Sequence, residues 1–220
     1  MAEGRDDRRR ASIRASFNAI SERILAAGRT GAGTDRGIVV LITAGTRGQG
    51  ITSVTIGLGR AFARGPGCRT LLIDHDAGVE GVAMRVGLAP KIVDVSRRPG
   101  ASADILSSVQ YSGEDGFDLV TLPPDYARTV DTAAREVALK ELRSAYDVIL
   151  VDAGSLQTHA PLVWGRQVDQ TILVVDTTVT TAAALERVKA ELKHADQTLT
   201  GVILNKRALP VPDALYWRLR

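Results

Sequence analysis

Residues 45–52 read Gly-Thr-Arg-Gly-Gln-Gly-Ile-Thr. This is the spacing G-x-x-x-x-G-K-[ST] of a phosphate-binding loop with one exception, Ile51 at the lysine position. Gly45, Gly48 and Gly50 let the backbone wrap tightly with its amides turned toward an anion. A helix starting here adds the positive end of its dipole. Thr52 supplies a hydroxyl suited to Mg2+, and Ser53 stands beside it. The lysine of such a loop lies along the β- and γ-phosphates and neutralises charge as the γ-phosphoryl group leaves. Ile51 offers neither charge nor donor. One lost charge-assisted hydrogen bond costs about 1.5–3 kcal/mol in binding, and the transition state loses more because charge builds up there. Arg47 lies inside the loop and is the alternative cation, with a different reach from an ammonium group.

Two more segments carry candidate chemistry. Leu71-Leu-Ile-Asp74-His-Asp76 ends an apolar run in two carboxylates, and Val148-Ile-Leu-Val-Asp152 ends another in one. Carboxylates at strand ends beside a phosphate loop hold Mg2+ through water or take a proton from a nucleophile. Asp74, Asp76 and Asp152 are therefore the candidate catalytic groups, and Thr52, Asp74 and Asp152 the candidate metal-holding set. Strand alternation sends His75 to the opposite face, away from a metal role. His159 and His194 lack acidic or cysteine neighbours at ligand spacing.

The order of elements must bring these residues together. Helical spacing of Ile13, Phe17, Ile20 and Ile24 predicts a helix over 11–27. A β-branched run predicts a buried strand over 38–43, and Val54, Leu58, Ala61 and Phe62 predict a helix over 52–63. Strands are expected over 70–74, 118–122, 147–152, 171–175 and 199–204. Helices are expected over 103–109, 132–145 and 180–194, with one short helix within 77–98. In the helix over 132–145, Ala134, Val137, Ala138 and Leu142 form one side. Strands alternating with helices imply right-handed crossovers and a doubly wound, mainly parallel α/β sheet flanked by helices. Such sheets bind ligands at the carboxyl ends of their strands.

Bulk composition agrees with one such domain. The chain has 220 residues, 45% hydrophobic and 24% charged, with aromatics at only 4%, so aliphatic side chains must fill the core. The domain spans 31–207, after a basic segment and helix over 1–30 and before a tail over 208–220. A net charge of +3 makes no strong case for nucleic acid. Arg5, Arg8, Arg9, Arg10, Arg14, Arg23 and Arg29 concentrate positive charge near the start, which suits either a solvated terminus or an acidic or anionic-surface partner. Cys68 is the single cysteine, so no intrachain disulfide forms. No apolar run reaches the ~20 residues of a membrane helix. The cytoplasm is the expected location. The tail Leu215-Tyr-Trp-Arg-Leu-Arg220 is aromatic and basic, which suits docking on the domain or a partner better than strong membrane binding.

These motifs resemble the ParA/MinD class of P-loop ATPases. Within that class the sequence is most similar to the cytoplasmic domain of bacterial tyrosine kinases of capsule and exopolysaccharide assembly, over residues 11–207. Residues 42–52 look like the Walker A loop, 71–76 like the second Walker motif of these kinases, and 146–152 like Walker B. Gly201-Val-Ile-Leu-Asn205-Lys is similar to the strand whose asparagine approaches adenine. The resemblance implies Gly45, Arg47, Gly48, Gly50, Ile51, Thr52, Ser53 and Asn205 as the nucleotide-binding set.

The departures concern separate functions. The lysine is Ile51, and the early-loop lysine of ParA and MinD falls on Thr46. Basic residues and a proline are replaced after Asp76 by Ala77-Gly78-Val79-Glu80. A Thr-Pro-Pro-like turn is replaced after Asp152 by Ala153-Gly154-Ser155. The Glu and two Arg of the ring-forming helix fall on Ala15, Asn18 and Ser21, and only Tyr216 represents the phosphorylated tyrosine cluster. The resemblance thus implies a degenerate kinase-like domain with weak or absent binding of ATP or ADP with Mg2+. Its implied partner is the cytoplasmic region of a membrane polysaccharide copolymerase, with a homodimer and recruitment to the membrane face as further options. The alternative is an active ATPase or kinase, or a MinD/ParA-like positioning ATPase, that uses Arg47 as its cation.

Overall fold

The structure, a computed structural model, describes residues 3–31, 36–76, 78, 80–95, 102–158 and 160–206. The tail from 207 onward, with Tyr216, and His159 lie outside the described residues.

Seven strands form one sheet: β1 (Ile38–Ala44), β2 (Thr70–Asp74), β3 (Gln110–Tyr111), β4 (Asp118–Thr121), β5 (Val148–Ser155), β6 (Gln170–Asp176) and β7 (Leu199–Asn205). Their order is β3-β4-β2-β5-β1-β6-β7. Every neighbouring pair is parallel except β3 with β4. The helices are α1 (Glu3–Gly31), α2 (Ile51–Arg64), α3 (Val82–Arg85), α4 (Ser102–Ser107), α5 (Tyr126–Thr129), α6 (Thr132–Ala145), α7 (Ala160–Trp164) and α8 (Ala182–His194). This is the expected doubly wound sheet.

The central strands are apolar without interruption because both faces are covered. Val39, Leu41, Leu71, Ile73, Ile149 and Val151 face one core with side chains of α4, α5, α6 and α7. Val40, Ile42, Leu72, Val148 and Leu150 face the other, with α1, α2 and α3. Each such side chain contributes about 1.5–3 kcal/mol by leaving water. Asp131 and Thr181 cap α6 and α8 by accepting from the Ala134 and Ala184 amides.

Several boundaries differ from the sequence reading. Helix α1 runs well past 11–27 in both directions. It packs on the domain through Phe17, Ile20, Ile24 and Leu25. Ile13 is exposed, because α1 extends beyond the α2 surface that covers its other apolar residues. In α6 the buried residues are Arg135, Ala138, Leu139 and Leu142, and Val137 points to solvent. The core stripe is rotated because Arg135 turns inward to donate to the Ala127 and Val130 carbonyls and to Gln167 Oε1. Strand β5 continues three residues past Asp152, through Ala153-Gly154-Ser155. The stretch expected as a helix over 103–109 ends early and is followed by the short antiparallel β3.

Candidate functional site

The loop at the end of β1 takes the conformation its glycines allow. Gly48 and Gly50 have φ of 80° and 92°, in the left-handed region. Gly50 caps α2, and a Cβ there would overlap the Asn205 side-chain amide. Gln49 is buried, and its Nε2 donates to the hydroxyls of Thr46 (3.0 Å) and Thr180 (3.3 Å). The Arg47 amide donates to Gln157 Oε1 at 3.3 Å, and the Arg47 side chain is exposed.

Ile51 is the first residue of α2. Its side chain is 8% exposed and belongs to the apolar cluster between α2 and the sheet. The position that carries a cation in an intact loop is used here for packing.

The acidic strand ends meet as expected. Asp152 pairs in register with Asp74 on one side and Ile42 on the other. Register and alternation put Asp74 and Asp152 on the α2 face of the sheet. Asp74 Oδ1 accepts from the Asp76 amide (3.0 Å) and Oδ2 from the Val82 amide (2.7 Å). Asp74 thereby holds Asp76 and Val82 to itself, and a Cβ on Gly81 would overlap the Asp76 carbonyl and crowd Asp74. Asp76 Oδ1 accepts from Gly78 N (2.8 Å). Asp152 Oδ1 accepts from Gly154 N at 3.2 Å. Asp152 Oδ2 is buried and has no hydrogen-bond partner among the described residues.

Electrostatics follow from this crowding. Burial first, and the facing Asp152 second, push the Asp74 carboxyl up to about 7, against the pull of the two amides. Burial also raises Asp152 to about 6, opposed by the Thr52 hydroxyl, the Gly154 amide and Arg85. Two like charges in adjacent buried positions favour keeping a proton.

His75 lies on the other face. Its Nε2 accepts from Trp164 Nε1 at 2.6 Å, and its ring meets Tyr126 and Trp164 edge-on. Burial, then Arg135, lower its pKa to about 4, so the ring is neutral. Its geometry is that of a packed core histidine.

Among the described residues, no three His, Cys, Asp or Glu side chains converge as a metal cage. Mg2+ bound with nucleotide phosphates needs only one or two carboxylates from the protein. The orphaned Asp152 oxygen beside the Thr52 hydroxyl fits that demand. Asp74 offers less, since both its oxygens already serve amides.

Three residues that flank the loop escaped the sequence reading. Arg85 of α3 donates from Nη1 to Ser53 Oγ (3.0 Å) and from Nε to the Glu80 carbonyl (2.9 Å), and pairs with the Glu80 carboxylate. Lys206 Nζ lies 2.8 Å from both the Gly48 carbonyl and Asp176 Oδ2. Asp176 ends β6, an apolar strand closed by a carboxylate, the same signal that marked Asp74 and Asp152. Asn205 is engaged within the protein: Nδ2 donates to the Gln49 carbonyl (2.8 Å) and Oδ1 accepts from Lys206 N (2.9 Å).

A glycine-rich loop between a buried strand and α2, with two facing acidic strand ends, is the arrangement of a P-loop ATPase. The chain is 24% identical over 178 residues to the tyrosine-protein kinase CpsD of Streptococcus pneumoniae, covering 79% of this chain and 78% of that protein. The kinase domain of the Escherichia coli tyrosine kinase ETK superposes with a TM-score of 0.67 at 23% identity, over 80% of this chain and 71% of that one. The chain is similar in sequence to these bacterial tyrosine kinases and has the fold of the ParA/MinD P-loop class. The MinD cell division protein of Aquifex aeolicus shares the fold of this kinase-like domain, with a TM-score of 0.63 at 24% identity over 83% and 73% of the two chains. No protein-family profile matches the kinase-like domain. Among the described residues, none of its helices is long and apolar enough to cross a membrane.

Proposed function

We propose that this kinase-like domain is catalytically impaired and works as a binding module on the cytoplasmic side of a membrane polysaccharide copolymerase, in capsule or exopolysaccharide assembly. The observation that carries this reading is Ile51, buried in the apolar cluster at the position of the phosphate-neutralising lysine. Without that cation the γ-phosphoryl group loses its main protein countercharge during transfer. The retained loop, Thr52 and Asp152 support weak binding of ADP or ATP, with Mg2+ held by Thr52 and Asp152. Mg2+ would supply charge neutralisation between phosphates. The chain's own groups would orient the phosphates through loop amides and keep Asp74 and Asp152 apart from bulk water. The copolymerase partner follows from the kinase resemblance, and Arg10 and Arg14, exposed on α1, offer basic contacts for it.

The deciding assay is incubation of the purified chain with Mg·ATP, read by phosphotyrosine detection and by ADP release. Neither should rise above a catalyst-free control. Robust turnover would overturn the reading and favour the active alternative, in which Arg47, exposed at the loop, supplies the cation. Arg47→Ala would then abolish that turnover.

A further inference from the structure

The phosphate loop is held from outside by the residues that follow β7. Two successive loop carbonyls, Gly48 O and Gln49 O, accept from Lys206 Nζ and Asn205 Nδ2, each at 2.8 Å. In a planar trans peptide the N–H points opposite to the C=O. Fixing these two carbonyls toward β7 therefore turns the Gln49 and Gly50 N–H groups away from it, into the loop. Alternating left-handed residues at Gly48 and Gly50 give the concave row of amides that binds anions.

The holding residues are themselves fixed. Lys206 adopts φ of 51°, a left-handed conformation unusual for a side-chain-bearing residue. Asn205 Oδ1 secures that turn by accepting from Lys206 N, and Asp176 Oδ2 secures the ammonium group. Asp176 is buried, and Lys206, then Thr178, holds its carboxyl down at about 2. Asp176 therefore carries its negative charge at any ordinary pH.

The geometry points to Lys206 as a positioning residue that, with Asn205, presets the loop amides for a phosphate-bearing ligand without touching it. This rests on the reading of the loop as a nucleotide site. Lys206 does not replace the charge missing at Ile51, because Asp176 cancels its charge in place. Its contribution is the orientation of two peptide groups. A loop whose lysine no longer organises it from within is organised from β7 instead.

The test uses the full chain, with Mg·ADP as the probe. Amide order parameters of Gln49 and Gly50 are measured by 15N relaxation without ligand, and Mg·ADP affinity by calorimetry. In the wild type both amides should show the ~0.85 of rigid backbone, and in Lys206→Met they should fall below ~0.6 while β1 and β5 stay rigid. Mg·ADP affinity should weaken about tenfold or more. Lys206→Arg should keep the amides rigid. Lys206→Gly, which also relieves the left-handed backbone, guards against a variant that fails to fold and should match Lys206→Met. Rigid loop amides in both Met and Gly variants would overturn the proposal, as would unchanged Mg·ADP affinity. If the wild type binds no Mg·ADP, the nucleotide reading fails, and the order parameters alone decide the role of Lys206.

Discussion

The two flanks of the phosphate loop are built to opposite specifications. On the β7 side the polar groups are paired within the protein: Lys206 meets Asp176 and Gly48, and Asn205 meets Gln49 and the Lys206 amide. On the β2–β5 side two buried carboxyls face each other, both hold their protons more tightly than usual, and one Asp152 oxygen has no partner among the described residues. A closed flank sets geometry, whereas a flank left unsatisfied stores affinity for whatever cation completes it. Between them the loop carries the buried, uncharged Ile51.

The comparison can be broken most severely on the closed side. Gly50→Ala forces a Cβ against the Asn205 amide at a φ of 92°. Strain and lost contacts together should cost about 2 kcal/mol or more. In thermal unfolding this appears as a melting temperature lower by about 4–8 °C. An unchanged melting temperature would show that the β7 residues do not grip the loop.

The open side should answer in the other direction. Asp152 has a pKa of about 6 in the fold and 3.8 as its ordinary value, so the folded state binds more protons between those values. Stability from this group is therefore complete below pH ~4 and is lost as pH rises through about 6. Asp152→Asn keeps the acceptor for Gly154 N and removes the charge. At pH 8 it should be more stable than the wild type by on the order of 2 kcal/mol, and the gain should vanish near pH 4. The difference between the two proteins is the quantity to follow. His75, lowered to about 4, contributes the opposite slope to both and cancels. A gain independent of pH would contradict the burial of the Asp152 carboxyl as the source of its raised pKa.

The smallest effect sharpens the contrast between the two flanking cations. Arg85 pairs with Glu80, which is mostly exposed. Arg85→Met should change stability by only about 0–1 kcal/mol. Lys206→Met leaves buried Asp176 without its cation and should lower the melting temperature more. Equal losses would erase the distinction between the two sides.

What the sequence revealed follows a different division. The loop glycines, Ile51, Thr52 and the acids at 74 and 152 each sit in a contiguous pattern of strand, turn and helix. Their meeting follows from topology alone. Arg85 and Lys206 reach partners 32 and 158 residues away from short irregular segments, where no periodicity marks a direction. Asp176 carried a readable signal, a carboxylate ending an apolar strand, that went unread. Elements such as β3, α5 and α7 are too short to show a repeat. The inward turn of Arg135 overrode the apolar spacing that had assigned Val137 to the core of α6.

The central claim is that the loop keeps its shape and has lost its cation. Calorimetric titration of the wild type and of Ile51→Lys with Mg·ADP tests it most directly. The wild type should bind weakly, and the lysine variant should gain about tenfold to a hundredfold in affinity. Tight binding by the wild type with no gain in Ile51→Lys would contradict it.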